Sequence, residues 1–197
     1  MGDGVMGTRL GWHVNGYMAD STVIHPDGSG ITVNWWENGY PSVAGLYAPG
    51  FKKQGRWKYF HSNGQPASSE IFDNNKLVDK EYFDKKGVRQ TDTTTNDGKA
   101  SFPGGMKAWG KYLSDHIYFP AQYKFTIDGQ STVLVRFAVN EDGSVSEVEV
   151  TSSLHKDFDK IAVDIIRRSP KWIPASSHNR KMKEYHEQPV TFAQTSE

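Results

Sequence analysis

"GQSTVLVRFAVNEDGSVSEVEVTSS", residues 129–153, decides how the second half of this chain folds. Val133, Val135, Phe137 and Val139 alternate with Leu134, Arg136 and Ala138. A period of two, rich in β-branched residues, predicts a strand with one buried face. Asn140-Glu141-Asp142-Gly143 then supplies a turn, with Gly143 free to take positive φ. A second strand follows, with Val148 and Val150 on one side and Glu147 and Glu149 on the other. Beyond Ser152-Ser153 the period changes. Phe158, Ile161, Ala162 and Ile165 fall at i, i+3, i+4 and i+7, one face of a helix. Pro170 ends it, and Arg167 and Arg168 suit the negative end of its dipole. The stretch reads as a β-hairpin feeding a helix that lies back across it.

Upstream, Met106, Trp109, Tyr112 and Leu113 have helical spacing after Pro103-Gly104-Gly105. Pro120 suits the first position of another short helix, Ala121 to Phe125. Downstream, Met182 to Gln194 reads as a final strand. Pro189 inside it requires an edge position or a bulge, because proline cannot donate a ladder hydrogen bond. The expected order is α-α-β-β-α-β, an α+β domain with an antiparallel sheet and helices on one face. Such an edge can accept an extended peptide by β-augmentation.

Four blocks in order, "FPGGMKAWGKYLSDHIYFPAQY", "GQSTVLVRFAVNEDGSVSEVEVTSS", "FDKIAVDIIRRSPKWIP" and "QPVTF", resemble the C-terminal domain of TonB-type energy transducers. The resemblance runs from about Phe102 to Gln194. It departs at Ala175, where many relatives have Gly, and at Ser114-Asp115-His116-Ile117, in place of a Gln-rich segment. It implies that the last strand pairs with a short N-terminal segment of an outer-membrane receptor. The partner-binding residues are then Tyr185, Pro189, Val190, Thr191, Phe192, Ala193 and Gln194. Two alternatives stay open: an edge blunted by Pro189, or one paired in a homodimer.

The first half repeats. Trp35-Trp36-Glu37-Asn38-Gly39 is echoed by Tyr59-Phe60-His61-Ser62-Asn63-Gly64 and by Tyr82-Phe83-Asp84-Lys85-Lys86-Gly87. A period near 23 with paired rings before a Gly turn marks a stacked hairpin array, whose units need neighbours and a cap. Of Trp35 and Trp36, adjacent on a strand, at most one ring should face outward, and the other should be core. "GRWKYFHSNGQ", residues 55–65, resembles bacterial MORN-type repeats, a likeness covering about Val23 to Gln90. "LGWHVNGYMAD" near the start is short and Gly-rich and reads as a first irregular hairpin. Thr91 to Lys99 has no period and no large apolar residue and reads as a linker. The expected organisation is a repeat domain over 1–90, a linker over 91–100 and the α+β domain over 101–197.

Composition removes several function classes. Formal net charge is zero over 197 residues, which gives no reason to invoke nucleic acid. There is no cysteine, hence no disulfide or thiolate chemistry. No apolar run approaches the ~20 residues that span a bilayer, and the start lacks a secretory apolar region. None of the seven histidines pairs at i, i+4 around a glutamate, and no nucleophile elbow, phosphate loop or dinucleotide fingerprint occurs. Asp157 and Asp159 suit a helix start better than a catalytic pair. No enzyme, metal or cofactor is expected. Arg167, Arg168, Lys171, Arg180, Lys181 and Lys183 make the last third locally basic. They read as dipole complement and solvated loop, or as attraction to an anionic envelope component.

The leading expectation is a periplasmic cell-envelope adaptor of a Gram-negative bacterium, supporting energy-dependent transport. Inner-membrane proton-channel partners would act through an anchor that this sequence does not contain. The alternative is a static envelope module binding glycan, peptidoglycan or protein through its repeats. An immunity-type role is a third.

Overall fold

The computed structural model describes residues 7–94, 96–124 and 129–194. It forms two compact units, Met1–Asp97 with His178–Arg180, and Gly98–Ser177 with Lys181–Glu197.

The first unit is a seven-stranded antiparallel sheet in sequence order. Its strands are β1 (Gly7–Trp12), β2 (Met18–Ile24), β3 (Gly30–Trp35), β4 (Pro41–Ala48), β5 (Lys52–Phe60), β6 (Pro66–Asp73) and β7 (Lys76–Tyr82). The repeat is a turn. In each copy the first residue's N–H bonds the fifth residue's carbonyl, and the fourth, a Gly, bonds back to the first; this occurs at His13–Tyr17, Trp36–Tyr40, His61–Gln65 and Asp84–Val88. That is a type I turn closed by a residue in the left-handed region, a role Gly fills without steric penalty.

Side chains stitch successive turns together. Asn15, Asn38 and Asn63 each donate an amide N–H to the carbonyl of Glu37, Ser62 and Lys85 respectively. Alongside, the His13 ring bonds Trp35 O, the Trp36 indole N–H donates to Phe60 O, and the His61 ring bonds Phe83 O. Each turn thus satisfies carbonyls of the next, which is why the units hold only as a stack. The segment near the start that reads as a first irregular hairpin is the first copy, with its turn opened by His13 between β1 and β2. The expectation for the two tryptophans needs correction. Both Trp35 and Trp36 are half-buried, because Trp36 opens a turn and spends its indole on the neighbouring one.

Large rings build this unit's small core. Trp57 and Tyr59 are each 3% exposed. The Trp57 ring lies across Gly45, where a Cβ would come within 2.2 Å of it. Beside them Glu70 is 1% exposed. Its carboxylate meets Lys80 Nζ at 3.0 Å and His178 Nδ1 at 2.6 Å, and the His178 ring stacks on Tyr59. Lys80 also pairs with Asp97. Burial works against the charged form of Glu70, but the bonds from His178 and Lys80 outweigh it and hold its pKa below the usual value.

The second unit contains α1 (Gly105–His116), β8 (Gln130–Val139), β9 (Val145–Ser152), α2 (Lys156–Arg167), β10 (Ala175–Ser177), β11 (Arg180–Met182, all but its first residue) and β12 (Glu184–Ala193). β10 and β11 form a ribbon, and β12, β8 and β9 form a sheet in the order β12-β8-β9. Val133, Val135, Phe137 and Val139 are fully buried, as the alternation requires, and meet Phe158, Ile165 and Ile166 of α2 in one core. α2 begins where His155 accepts the Asp157 N–H and Asp159 accepts the Leu154 N–H. Gly143 takes φ 81 in the β8–β9 turn, and a Cβ there would lie 2.1 Å from Trp172 O. This seat ties the hairpin to the chain leaving α2 through the Trp172 N–H bond to Gly143 O.

Two sequence expectations fail here. Residues 121–124 form no helix: Pro120 opens a single turn closed by the Tyr123 N–H, and Phe125 lies outside the described residues. The order also gains the β10–β11 ribbon, and β12 begins at Glu184 rather than Met182. None of the helices is long and apolar enough to cross a membrane, among the described residues.

Glu70 generates a pH prediction. A carboxylate whose folded pKa is depressed contributes stability that is complete above its unfolded value and is lost as pH falls through the folded one. Glu70→Gln should destabilise the first unit by about 1–3 kcal/mol at neutral pH. It should also flatten the fall of Tm on acidification, measured by thermal melts across the carboxylate range.

Candidate binding edge on the last strand

β12 is an edge strand. It pairs with β8 in a continuous ten-residue register from Glu184↔Val139 to Ala193↔Gln130, with no bulge. That register extends one step to Gln194, whose N–H donates to Gly129 O at 2.8 Å. In an antiparallel ladder, hydrogen-bonded and non-bonded pairs alternate. Even-numbered residues of β12 therefore bond β8. The backbone N–H and C=O groups of Tyr185, Glu187, Pro189, Thr191 and Ala193 point to the opposite flank.

No strand occupies that flank among the described residues. Pro189 sits in the outward row, so its missing N–H costs the β8 ladder nothing, which is the reason a proline is tolerated inside this strand. Its carbonyl is taken by its neighbour: Gln188 Nε2 donates to Pro189 O at 2.7 Å. The same Gln188 amide accepts the Trp109 indole N–H through Oε1, also at 2.7 Å.

Side-chain direction follows the same alternation. Val190 and Phe192 are fully buried, and Phe192 packs edge-on against Phe158 at 5.0 Å between ring centroids. Tyr185, Glu187, Pro189, Thr191 and Ala193 are exposed. On this outer face Tyr185 donates its hydroxyl to Glu147 at 2.5 Å and lies under the Arg136 guanidinium. Glu147 also pairs with Lys183, and these two bonds hold its carboxyl below the usual range. Thr151 donates to Glu187 at 2.7 Å, and Thr132 and Thr191 share a hydroxyl bond at 2.9 Å. The outer face is thus neutralised and hydrogen-bonded up to the edge.

The structure thereby sorts the seven sequence candidates. Tyr185, Pro189, Thr191 and Ala193 present backbone to the free flank. Val190 and Phe192 spend both backbone and side chain on the fold, and Gln194 bonds Gly129. Two residues of this site carried no sequence signal as members of it. Glu187 belongs to the outward row by parity alone, and Gln188 caps the edge.

Residues 117–193 match the family described as the Gram-negative bacterial TonB protein C-terminal, a domain of the cell envelope. Comparison with curated proteins gives no match. The matched segment contains β8, β9, α2 and all of β12, so the strand with the open flank lies inside the region that is similar to the family.

Phe192→Ala should cost about 3–5 kcal/mol, the range for emptying a buried ring site. Ala193→Ser, one residue along and exposed, should stay within about 0.5 kcal/mol. Denaturant titration of the two variants checks the contrast, and equal effects would contradict the alternation.

Proposed function

We propose that this chain is a TonB-like cell-envelope adaptor whose last strand captures an extended segment of an outer-membrane receptor by β-augmentation. The single observation that carries this reading is the free outward row of β12, set within the segment that matches the TonB C-terminal family. Backbone groups supply affinity in this mode, and alternate side chains supply selectivity. A strand added there would extend the sheet to four, taking N–H groups from the outward row of Tyr185, Glu187, Thr191 and Ala193 over whatever length it pairs. Force applied along the strands would load several bonds at once, each worth only ~1 kcal/mol net. Energy for transport would come from inner-membrane proton-channel partners, and the protein would act in the periplasm. In this reading the first unit is a MORN-type repeat array serving as a spacer or second contact.

One observation favours a second reading, a static module that binds envelope glycan through the repeats. The sheet of the first unit holds a groove of about 830 Å³ lined by Arg9, Thr22, Thr32, Asn34, Tyr47 and Phe51 among others. Thr22, Thr32 and Asn34 are joined in a hydrogen-bonded row on its floor. Hydroxyls and an amide beside aromatic rings suit a neutral sugar.

Peptides copied from receptor N-termini separate the two readings. The adaptor reading expects them to shift amide resonances that lie within residues 185–193. Shifts confined to residues 9–57 would support the repeats instead. Thr191→Pro removes an outward N–H without touching the β8 ladder. It should weaken capture about fivefold, with a Tm loss no larger than the Thr132 hydroxyl bond it also removes explains, and undiminished binding by that variant would remove β12 from the interface.

A further inference from the structure

The outward row of β12 is not continuous. At Pro189 the donor is missing, and the acceptor is occupied by the Gln188 side chain. Gln188 is held in that pose from the other side by the Trp109 indole. An incoming strand that passes this point meets a position with no N–H and with a C=O already engaged by Gln188. Its own facing carbonyl would be left without a donor there and its N–H would have to share an engaged acceptor, and an unmade bond on a strand that has left water is a net cost.

On either side the row is intact. Thr191 and Ala193 offer N–H and C=O groups toward the end of the chain, and Tyr185 and Glu187 do so before the break. The two halves differ in surroundings. Around Glu187 and Tyr185 the outer face is crowded with charge: Glu147, Lys183, Arg136 and Glu149 are all engaged there. Around Thr191 and Ala193 the neighbours on that face are Thr132 and its hydroxyl bond, with no ion pair among the described residues.

From this we infer that Pro189 and the Gln188 cap divide the edge and make Pro189 a length- and register-determining residue. The captured segment is short, uncharged on its side facing Thr132, and paired opposite Thr191–Ala193; it ends or bends away at Pro189. This rests on the adaptor reading and specifies its partner: a brief extended stretch of alternating small or β-branched residues, followed by a proline, a glycine or a turn. A long, regular strand is a poor fit.

The test uses two acetylated and amidated peptides of alternating Val and Thr, each ended by one Lys for solubility. The short one is cut to reach across residues 190–194, and the long one across 184–194. Amide shifts and dissociation constants are measured on the full chain and on Pro189→Ala, whose fold is checked by melting. Pro189→Ala restores one outward N–H, and one added bond is worth about fivefold in affinity. The expected result is that both peptides bind the native chain with equal affinity and shift only residues near 191–193. The long peptide alone should gain about fivefold in the variant.

If the long peptide binds the native chain tenfold or more tightly than the short one, with shifts running through 185 and 187, the division of the edge is wrong while the adaptor reading stands. If neither peptide binds the native chain or the variant, and receptor peptides also fail, both fall together.

Discussion

The pairing of β12 with β8 is the constraint on which the rest of this structure depends. Phe192 and Val190 are driven into the core by the same burial that holds Val133 and Val135. Side chains alternate with a period of two, so a slip of one residue would turn both apolar side chains to water. Fully burying side chains of this size is worth about 1.5–3 kcal/mol each, which fixes the register firmly. Because the register is fixed, the direction of every backbone group on β12 is fixed too. The open flank is therefore a by-product of core packing.

This explains how a strand can be both structural and available. The even residues carry the hydrophobic and ladder work, and the odd residues other than Pro189 turn their polar backbone to a flank that no strand occupies among the described residues. Pro189 stands in the odd row, where it disturbs no internal bond and blunts an edge that would otherwise invite indiscriminate pairing. The Gln188 cap adds to that restraint. The opposite edge, β9, is irregular as well, with Glu147 in the left-handed region at φ 51. Irregular edges of this kind resist adventitious association.

Much of this arrangement is legible in the sequence. The alternation of Val133, Val135, Phe137 and Val139 and the i, i+3, i+4, i+7 pattern from Phe158 locate the hairpin and its helix. Pro189 alone argues for an edge. What the sequence conceals is of two kinds. Pro120 looks like a helix start, yet the chain after it makes one turn, because a favourable first position cannot supply the apolar face a helix needs to pack. The β10–β11 ribbon turns on His178 and Asn179, both at positive φ, a geometry for which only Asn179 gives a signal. In the first half, the ring pairs are visible but the turn is the true repeat. Asn-Gly at residues 15–16, 38–39 and 63–64 marks it, including the copy near the start. The cap on Pro189 by Gln188 arises from side-chain placement that no pattern of residues announces.

Amide hydrogen exchange along β12 in the free protein tests the central claim most directly. The account predicts an alternation: slow exchange at His186, Gln188, Val190 and Phe192, whose N–H groups bond β8, and fast exchange at Tyr185, Glu187, Thr191 and Ala193. Uniform protection of all eight would mean that the second flank is already covered, and would contradict it.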